Sequence, residues 1–420
     1  MRNAALLHAT LLAILLLAIV ALATAPVPTA ASQPDAATVQ DDGQETPPNV
    51  LANPGVREVE SKLNERWDIS IPIGTLSQAL LEIEKQSGID MRPDWKAMSR
   101  ERVGRDTPVN QLHAPNRPLG QTLEWFLDPL DLLAIARRGH VVVTTRAAYD
   151  KDDDYLEVRL YRSADLARGA EAYEQLRSLL KDMCSRAAWE DVDGNGGTID
   201  SFLGMLVIKQ KQQVHRQIEA ILDMIRAASI DTHAGSGGGD WQPVVFAHGR
   251  DLALEAKLRG PLKIHLREGT TLKEAFEQFA KNLRITIQVD WEGALADEQI
   301  DRDLPVHLHS EDRPAHKALG ILLRPLQLEA VTRGNFVYVT TQIAAHEGLG
   351  FLKVRVYRCG LARDQDTRDN LIDLITSMPD TQWGEKARFD GRITTFNDLL
   401  IIRQTPQSHA EIEETLNEVH

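Results

Sequence analysis

The sequence contains an internal duplication of about 160 residues. Residues 205–215 read MLVIKQKQQVH, and residues 399–409 read LLIIRQTPQSH. Likewise TLSQALLEIEKQSGIDMRPDW at 75–95 matches TLKEAFEQFAKNLRITIQVDW at 271–291, an offset of 196 residues. The offset falls to 194 towards the end of the unit, so the two copies differ by only two single-residue deletions. A fold that is proposed for one copy must therefore suit both.

Each copy ends in a strand, a turn and an amphipathic helix. The four apolar residues from Leu399 to Ile402 predict a short buried strand. Thr405 and Pro406 then supply an N-cap oxygen and a proline at the first helical position. Apolar residues recur at helical spacing in both copies, namely Val214, Ile218, Leu222 and Ile225 in the first and Ile412, Leu416 and Val419 in the second. One stripe of each helix is therefore expected to face a core.

The rest of each copy predicts two small units. The first has an alternating strand, WDISIPI or LKIHL, a helix from Thr75 or Thr271, a strand, a helix after Pro118, and a hairpin that turns at Gly334-Asn335 in the second copy. The second unit runs from LEVRLY or LKVRVY through a helix and a Trp-containing hairpin to the terminal strand and helix. We therefore predict an α+β fold, with two tandem copies of a pair of small α/β-sandwich domains.

The composition indicates which classes of partner and site the chain can have. The chain is 43% hydrophobic and 26% charged, which is ordinary for globular proteins. Its formal net charge of -14 disfavours nucleic acid and anionic lipid surfaces, because the chain would repel their phosphates. The only cysteines, Cys184 and Cys359, are not equivalent in the two copies. They cannot form a disulfide framework or a thiolate metal site, although a single bridge between them stays open.

The N-terminus predicts export. Arg2 precedes an apolar run that ends in small residues, so we interpret residues 1–31 as a secretory signal peptide. A retained membrane anchor is the alternative, because the run is long enough to span a bilayer. Residues 32–60 are predicted to be a disordered linker and residues 231–250 a Gly-rich linker. After signal cleavage we expect no membrane span.

The motifs resemble those of secretins. The first unit resembles the short N-terminal domain shared by secretins and TonB-dependent transducers. The resemblance lies in the order of elements and motifs: a strand, G-T-L-x-x-A-L, a helix, a strand, R-P-L, a helix, P-L-x-L and a hairpin that ends in V-V-V-T-T. The pattern L-x-V-R-x-Y with L-L-I-I-R-Q-T-P-x-x-H-x-x-I resembles the KH-like periplasmic ring domain of secretins. This implies short N-terminal-like domains at 61–147 and 251–343 and KH-like domains at 154–230 and 349–420. The combination is also similar to exported repeat proteins of planctomycete bacteria.

The resemblance implies a periplasmic assembly or docking role. Secretins continue into a β-rich pore segment, and the sequence shows none before His420, so we expect no pore. The two copies, residues 61–230 and 241–420, are each expected to fold separately. Docking is expected at exposed sheet edges, for which the strands near 69–73 and 264–266 are the candidates.

One pair of candidate site residues occurs in both copies. His215 is followed four residues later by Glu219, and His409 by Glu413, in the last helix of each copy. A histidine and a glutamate on one helical face could form half of a metal site, but they would need further ligands. We interpret both pairs as structural, in a capping or surface position.

The best metal candidate lies in VHLHSEDRPAH of the second copy. His307 and His309 share one face of a strand, with Glu311, Asp312 and His316 nearby. The i, i+2 spacing can chelate zinc, but the first copy keeps only His113 and has Gln111 where the second has His307, so any such site would belong to the second copy alone. A solvated strand end is therefore expected.

Two further motifs could bind ligands, but we interpret both as structural. DVDGNGG at 191–197 begins like a calcium loop, but Phe202 stands where a bidentate glutamate belongs, so a hairpin loop is expected. Trp189 and Trp383, with Tyr161 and Tyr357, could form a carbohydrate platform, but their presence in both copies favours packing. No catalytic, cofactor-binding or metal residue is assigned.

The sequence thus predicts an exported, non-enzymatic scaffold or docking protein of the periplasm or cell envelope. Its expected partner is an envelope or periplasmic protein or a second copy of itself, and not nucleic acid. The alternative is a ligand-binding module for an envelope glycan or a metal ion, which would use the hairpin tryptophans or the cluster around His307.

Overall fold

A computed structural model provides the structure of the chain. It describes residues 50–184, 189–190, 196–230, 244–247, 252–291, 293–333, 336–347, 352–358, 365–378, 383 and 391–418. The fold is of the α+β class, as predicted. Among the helices that the structure describes, none combines the length and apolar character that crossing a bilayer requires.

The first half of the fold, residues 50–230, contains helices α1 to α7. Its strands are β1 (Val50–Leu51), β2 (Arg66–Ile71), β3 (Gly74–Thr75), β4 (Asp90–Pro93), β5 (Pro108–Val109), β6 (Leu112–Pro118), β7 (Leu132–Arg137), β8 (His140–Thr145), β9 (Leu156–Arg162), β10 (Thr198–Phe202) and β11 (Met205–Lys211). Its helices are α1 (Pro54–Asn64), α2 (Leu76–Ser87), α3 (Trp95–Arg100), α4 (Leu119–Leu127), α5 (Arg146–Lys151), α6 (Ala170–Met183) and α7 (Gln212–Ile230).

The second half, residues 244–418, contains helices α8 to α14. Its strands are β12 (Val244–Ala247), β13 (Pro261–Thr271), β14 (Thr286–Val289), β15 (Pro305–Pro314), β16 (Leu328–Arg333), β17 (Phe336–Thr341), β18 (Lys353–Arg358), β19 (Arg392–Phe396) and β20 (Leu399–Gln404). Its helices are α8 (Leu252–Arg259), α9 (Leu272–Leu283), α10 (Ala294–Asp297), α11 (Ala315–Leu323), α12 (Gln342–Glu347), α13 (Gln365–Thr376) and α14 (Pro406–Glu418).

Each half contains one four-stranded antiparallel sheet. The first sheet has the strand order β1-β9-β11-β10, and the second sheet has the order β12-β18-β20-β19. In each, a hairpin formed by the last two strands adds to a central strand, β9 or β18. The two strand orders correspond one to one, while the duplication itself remains an inference from the sequence.

The edge strands β1 and β12 differ from the prediction. Residues 50–60 were expected to belong to a disordered linker, but they form β1 and the start of α1. Residues 244–247 were expected to belong to the Gly-rich linker, but they form β12. Such short strands have too little apolar periodicity to be seen in sequence, and they are stabilised by pairing with β9 and β18. The domain limits predicted at 61 and 251 therefore cut off a strand that belongs to each four-stranded sheet.

The remaining strands of each half form smaller sheets. A three-stranded sheet, β4-β8-β7 or β14-β17-β16, combines a parallel pair with a hairpin, and β2-β6 or β13-β15 forms a two-stranded sheet. Helices α2 and α9 begin with capping boxes, in which Thr75 pairs with Gln78 and Thr271 with Glu274. The helix starts that the sequence predicts at the two threonines are confirmed.

Helices α6 and α7 of the first half lie between the two four-stranded sheets. The helix α7 contacts β9 and β11 of the first sheet as well as β12 and β18 of the second. One continuous core therefore crosses from the first half into the second. It includes Tyr161, Leu206 and Ile208 of the first sheet, Leu176, Leu180, Ile218 and Leu222 of the helices, and Val356, Phe396, Leu399 and Ile401 of the second sheet.

The opposite face of the second sheet packs on its own helices. Tyr357, Leu400 and Ile402 form a separate cluster with α13 and α14. The second sheet is thus covered by helices on both faces, whereas α6 and α7 cover one face of the first sheet.

Candidate functional site

The duplicated histidine joins the last helix of each half to its sheet. The hydroxyl of Tyr161 lies 2.7 Å from Nδ1 of His215, whose Nε2 lies 2.9 Å from the carbonyl oxygen of Glu157. Tyr357 and His409 repeat this arrangement at 2.6 Å, with a backbone carbonyl 2.8 Å from Nε2. Since Nε2 must donate to the carbonyl, Nδ1 of the neutral ring accepts from the tyrosine hydroxyl.

Both histidines are fully buried, which differs from the capping or surface position that we expected. Burial lowers the pKa of His215 to about 3, and the nearby charge of Arg159 lowers it further in the same direction. Burial also holds the pKa of His409 well below its ordinary value. Both rings are therefore neutral near pH 7, with both nitrogens engaged in hydrogen bonds.

A buried arginine lies beside the first Tyr–His pair and binds three carboxylates. The guanidinium of Arg159 on β9, only 1% exposed, lies 2.7 Å from a carboxylate oxygen of Glu60, 2.9 Å from Glu219 and 3.0 Å from Glu157. Burial lowers the pKa of Arg159, but these carboxylates more than offset that effect and raise it above its ordinary value. Because Glu60 lies on α1 and Glu219 on α7, the ion pairs of Arg159 join β9 to both helices.

The second half repeats this network. Arg355 on β18 binds Glu255 of α8 and Glu413 of α14, and its side chain is 2% exposed. Arg259 adds an outer ion pair at 2.8 Å from Glu413, with 47% of its own side chain exposed. The glutamate that follows each histidine by four residues therefore binds a buried arginine. The V-R-x-Y strand motif and the H-x-x-x-E helix motif, taken together, are the sequence signal of this network.

The structure adds one residue to the cluster around His307 and removes another. His307 and His309 lie on the exposed face of β15, as predicted. Nδ1 of His309 lies 2.9 Å from Nδ1 of His265 on β13, which the sequence reading missed. His316 instead bonds the carbonyl oxygen of Leu258 at 3.1 Å. Within the described ranges, no group of three or more His, Cys, Asp or Glu side chains is arranged to hold a metal ion.

The tryptophans of the alternative hypothesis are engaged in packing. Trp189 is fully buried in the core shared by the two halves, and Trp383 is partly buried against the core of the second sheet. Trp189 therefore presents no free ring face to a glycan. Cys184 is a buried free thiol. The residues 191–195 of the calcium-like loop, the Gly334-Asn335 turn, Cys359 itself and the signal peptide lie outside the described residues.

The first sheet edge that we predicted as a docking site is covered. Oε1 of Gln86 accepts from the backbone N–H of Ser70 at 3.1 Å, and its Nε2 donates to the carbonyl of Ser70 at 2.9 Å. Gln212 makes the same pair of bonds to Ala136 on β7, at 3.1 and 3.4 Å. The expectation of a free edge at 69–73 is therefore wrong, because a glutamine amide replaces the missing strand. The second candidate, 264–266, lies in β13, which pairs with β15.

An apolar surface remains on the first sheet, on the face that points away from α6 and α7. We call it the open face, and it consists of Leu51, Val158, Leu160, Phe202, Met205 and Val207. The register makes it continuous, since Leu160 lies opposite both Leu51 and Val207, and Phe202 lies opposite Met205. Leu51 is 39%, Val158 42% and Phe202 38% exposed.

The hairpin turn next to the open face carries a further apolar side chain. Leu203 is 77% exposed and has a φ of 47°, in the left-handed region. The equivalent turn of the second half has Asn397, a residue that tolerates this conformation better. A leucine at this position has an unfavourable backbone conformation and exposes an apolar side chain to water. Both features favour a binding role for the turn and the open face beside it.

No protein-family model and no curated protein matches the sequence. Among solved structures, the chain is similar to one in the outer membrane complex of the Klebsiella pneumoniae type II secretion system, which contains PulD, PulS and the PulC HR domain. The identity is 13%, the match covers 83% of this chain and 49% of that chain, and the TM-score is 0.20. This chain thus spans about half the length of that one.

A second match is the N-terminal domain of the secretin XcpQ from Pseudomonas aeruginosa. Its identity is 11%, it covers 84% of this chain and 99% of that chain, and its TM-score is 0.15. Both matches have a low identity and a low TM-score. Membership of the secretin family and similarity to planctomycete repeat proteins both remain predictions.

Proposed function

We propose that this chain is an exported, non-enzymatic docking protein of the cell envelope, and that its open face binds a partner protein. The observation that carries the proposal is the continuous apolar surface on the first sheet. Single exposed apolar residues are normal on soluble proteins, but a contiguous group that follows the register of neighbouring strands is typical of an interaction site.

The fixed polar networks support a docking role over a chemical one. The histidine and the glutamate four residues later, which both halves share, could form half of a metal site by their spacing, and they lie beside the tyrosine and the arginine of the V-R-x-Y strand. In the structure these side chains bond one another across elements, around Arg159 and Arg355. They make the four-stranded sheets rigid supports, which suits a protein that presents a preformed surface.

The predicted signal peptide supports export and therefore a partner in the periplasm or envelope. The net charge of -14 agrees with a protein partner better than with nucleic acid or an anionic membrane. The sequence motifs resemble those of secretin domains, and a secretion-related partner is the corresponding proposal for this chain.

The test is recovery of a partner by the purified chain from an envelope fraction. Wild type is compared with a Val158→Lys, Val207→Lys double variant, which charges the open face without touching the core. Leu81→Lys is the matched control, because Leu81 is 65% exposed on α2, outside the open face. We expect one defined protein to be retained by wild type and by the control and lost by the double variant. Equal retention by all three chains would contradict the proposal.

A further inference from the structure

The second sheet shows what can cover the open face, because its equivalent face is covered within this chain. Val356, Phe396, Leu399 and Ile401 of the second sheet stand where the first sheet has Leu160, Phe202, Met205 and Val207. These second-sheet residues are 0 to 5% exposed. The same strand positions therefore form a buried face in one half and an exposed apolar face in the other.

The cover of the second sheet is the helix α7, assisted by α6. Apart from the stripe that faces its own sheet, α7 has a second set of buried apolar residues at helical spacing, Ile221, Met224 and Ala228. The equivalent helix of the second half, α14, has Thr415 and Glu418 at the first two of these positions. Thus α7 is apolar on two sides and can lie between two sheets, whereas α14 is built to cover one.

Two cations at the ends of the covered face fix the helices. Arg358 donates to the carbonyl oxygen of Ala228 at 2.9 Å, near the end of α7. Arg403 donates to the carbonyl oxygen of Cys184 at 3.3 Å, just after α6. Helix C-terminal carbonyls lack intrahelical donors and carry partial negative charge, so cations bind there.

The open face has cations at the same two places. Arg162 corresponds to Arg358, and Lys209 corresponds to Arg403. The register places Arg162 opposite Met205 and Lys209 opposite Val158, so both belong to the open face. The open face thus repeats the apolar and the charged features with which the second sheet holds a helix.

We propose that the open face binds an amphipathic α-helix of a partner protein. The helix packs an Ile/Leu/Met/Ala stripe on the apolar strand residues and directs its C-terminal carbonyl oxygens to Arg162, which stands where Arg358 binds the end of α7. This inference rests on the docking function proposed above and names the chemistry of the partner. A second copy of this chain is disfavoured as the occupant. The stripe of α7 is already covered by the second sheet, and α14 has polar residues at Thr415 and Glu418.

The test uses two hydrocarbon-stapled, fluorescent peptides with the sequence of residues 212–230, titrated against the purified full chain. The outer-stripe peptide carries Ile218→Lys and Leu222→Lys, which charges the side that packs on the first sheet and keeps intact the side that packs on the second sheet. The inner-stripe peptide carries Ile221→Lys and Met224→Lys and has the same charge. We expect the outer-stripe peptide to bind with a Kd of about 1 to 100 μM, and the inner-stripe peptide to bind at least about tenfold more weakly.

Variants of the chain assign the binding to the open face. Val158→Lys with Val207→Lys should weaken binding of the outer-stripe peptide at least about tenfold. Arg162→Ala should weaken it about two- to tenfold, since the contact at the helix end is solvent-exposed. Leu81→Lys should leave the affinity unchanged.

Three results would overturn the inference. The first is absence of binding by the outer-stripe peptide when circular dichroism shows it to be helical. The second is a dimer of wild type, seen by sedimentation and lost in the double lysine variant, which would make a second copy the occupant. The third is peptide binding only after removal of residues 1–47, which would assign the face to the chain's own N-terminal segment. If the double lysine variant loses the envelope partner but the outer-stripe peptide does not bind wild type, the docking function is supported and the helical nature of the partner is rejected.

Discussion

Ile401→Lys is expected to unfold the chain at room temperature, whereas Val207→Lys is expected to change the free energy of unfolding by no more than about 1 kcal/mol. The two residues occupy equivalent positions in β20 and β11. Ile401 is fully buried between the second sheet and α7, so a lysine there loses about 2 to 5 kcal/mol of packing and also buries an unpaired charge. That sum is comparable to the whole stability of a domain. Val207 is partly exposed, and a lysine can extend into water from the open face.

Circular dichroism and urea unfolding of both purified variants measure this difference. Met205→Lys, also on the open face, serves as a second tolerated control. Similar destabilisation by Ile401→Lys and Val207→Lys would show that α7 does not cover the second sheet. The same core also revises our expectation that residues 241–420 fold separately. A separated second half loses the helices that bury Val356, Phe396 and Ile401, and it should be aggregation-prone.

Arg355→Ala is expected to destabilise the chain by about 3 to 5 kcal/mol, because it leaves Glu255 and Glu413 in a buried position without their cation. Arg259→Ala is the matched control. Arg259 also pairs with Glu413, but it is about half exposed, so its loss should cost no more than about 1 kcal/mol. Arg159→Ala should destabilise the chain by a similar amount, since Arg159 forms ion pairs with three carboxylates in the first half.

Urea unfolding monitored by tryptophan fluorescence gives the free energies. A double-mutant cycle of Arg355→Ala with Glu413→Gln should show a coupling of at least about 1 kcal/mol, since the two groups share one network. Equal effects of Arg355→Ala and Arg259→Ala would mean that the buried network does not join α8 and α14 to the second sheet.

Local patterns made much of the fold predictable. The α+β class followed from alternating strands and amphipathic helices, and the starts of α2 and α9 followed from Thr75 and Thr271, whose capping boxes are local in sequence. The terminal strand and helix, Leu399–Gln404 and Pro406–Glu418, followed from four apolar residues and the Thr-Pro pair. In each case a few neighbouring residues determine the conformation.

What could not be predicted depends on contacts between distant residues. The strand β1 has two residues and exists only because β9 pairs with it. The edge of β2 is closed by Gln86, which nothing in the pattern of β2 reveals. The sequence does contain a signal of the shared core. Ile221 and Met224 give α7 a second apolar side, whereas α14 has Thr415 and Glu418 at the equivalent positions. Comparison of the two copies, position by position, would have found it.

The reactivity of cysteines at the equivalent positions Val207 and Ile401 shows whether a partner covers the open face. In a Cys359→Ser background, Val207→Cys and Ile401→Cys are treated with a maleimide, both in the purified chain and in intact envelope preparations. Cys184 is buried and should not react. We predict that Val207→Cys reacts rapidly in the purified chain and at least about tenfold more slowly in the envelope, where the partner covers it, while Ile401→Cys reacts slowly in both. Equal and rapid reaction of Val207→Cys in both preparations would contradict the claim that the open face is a docking site.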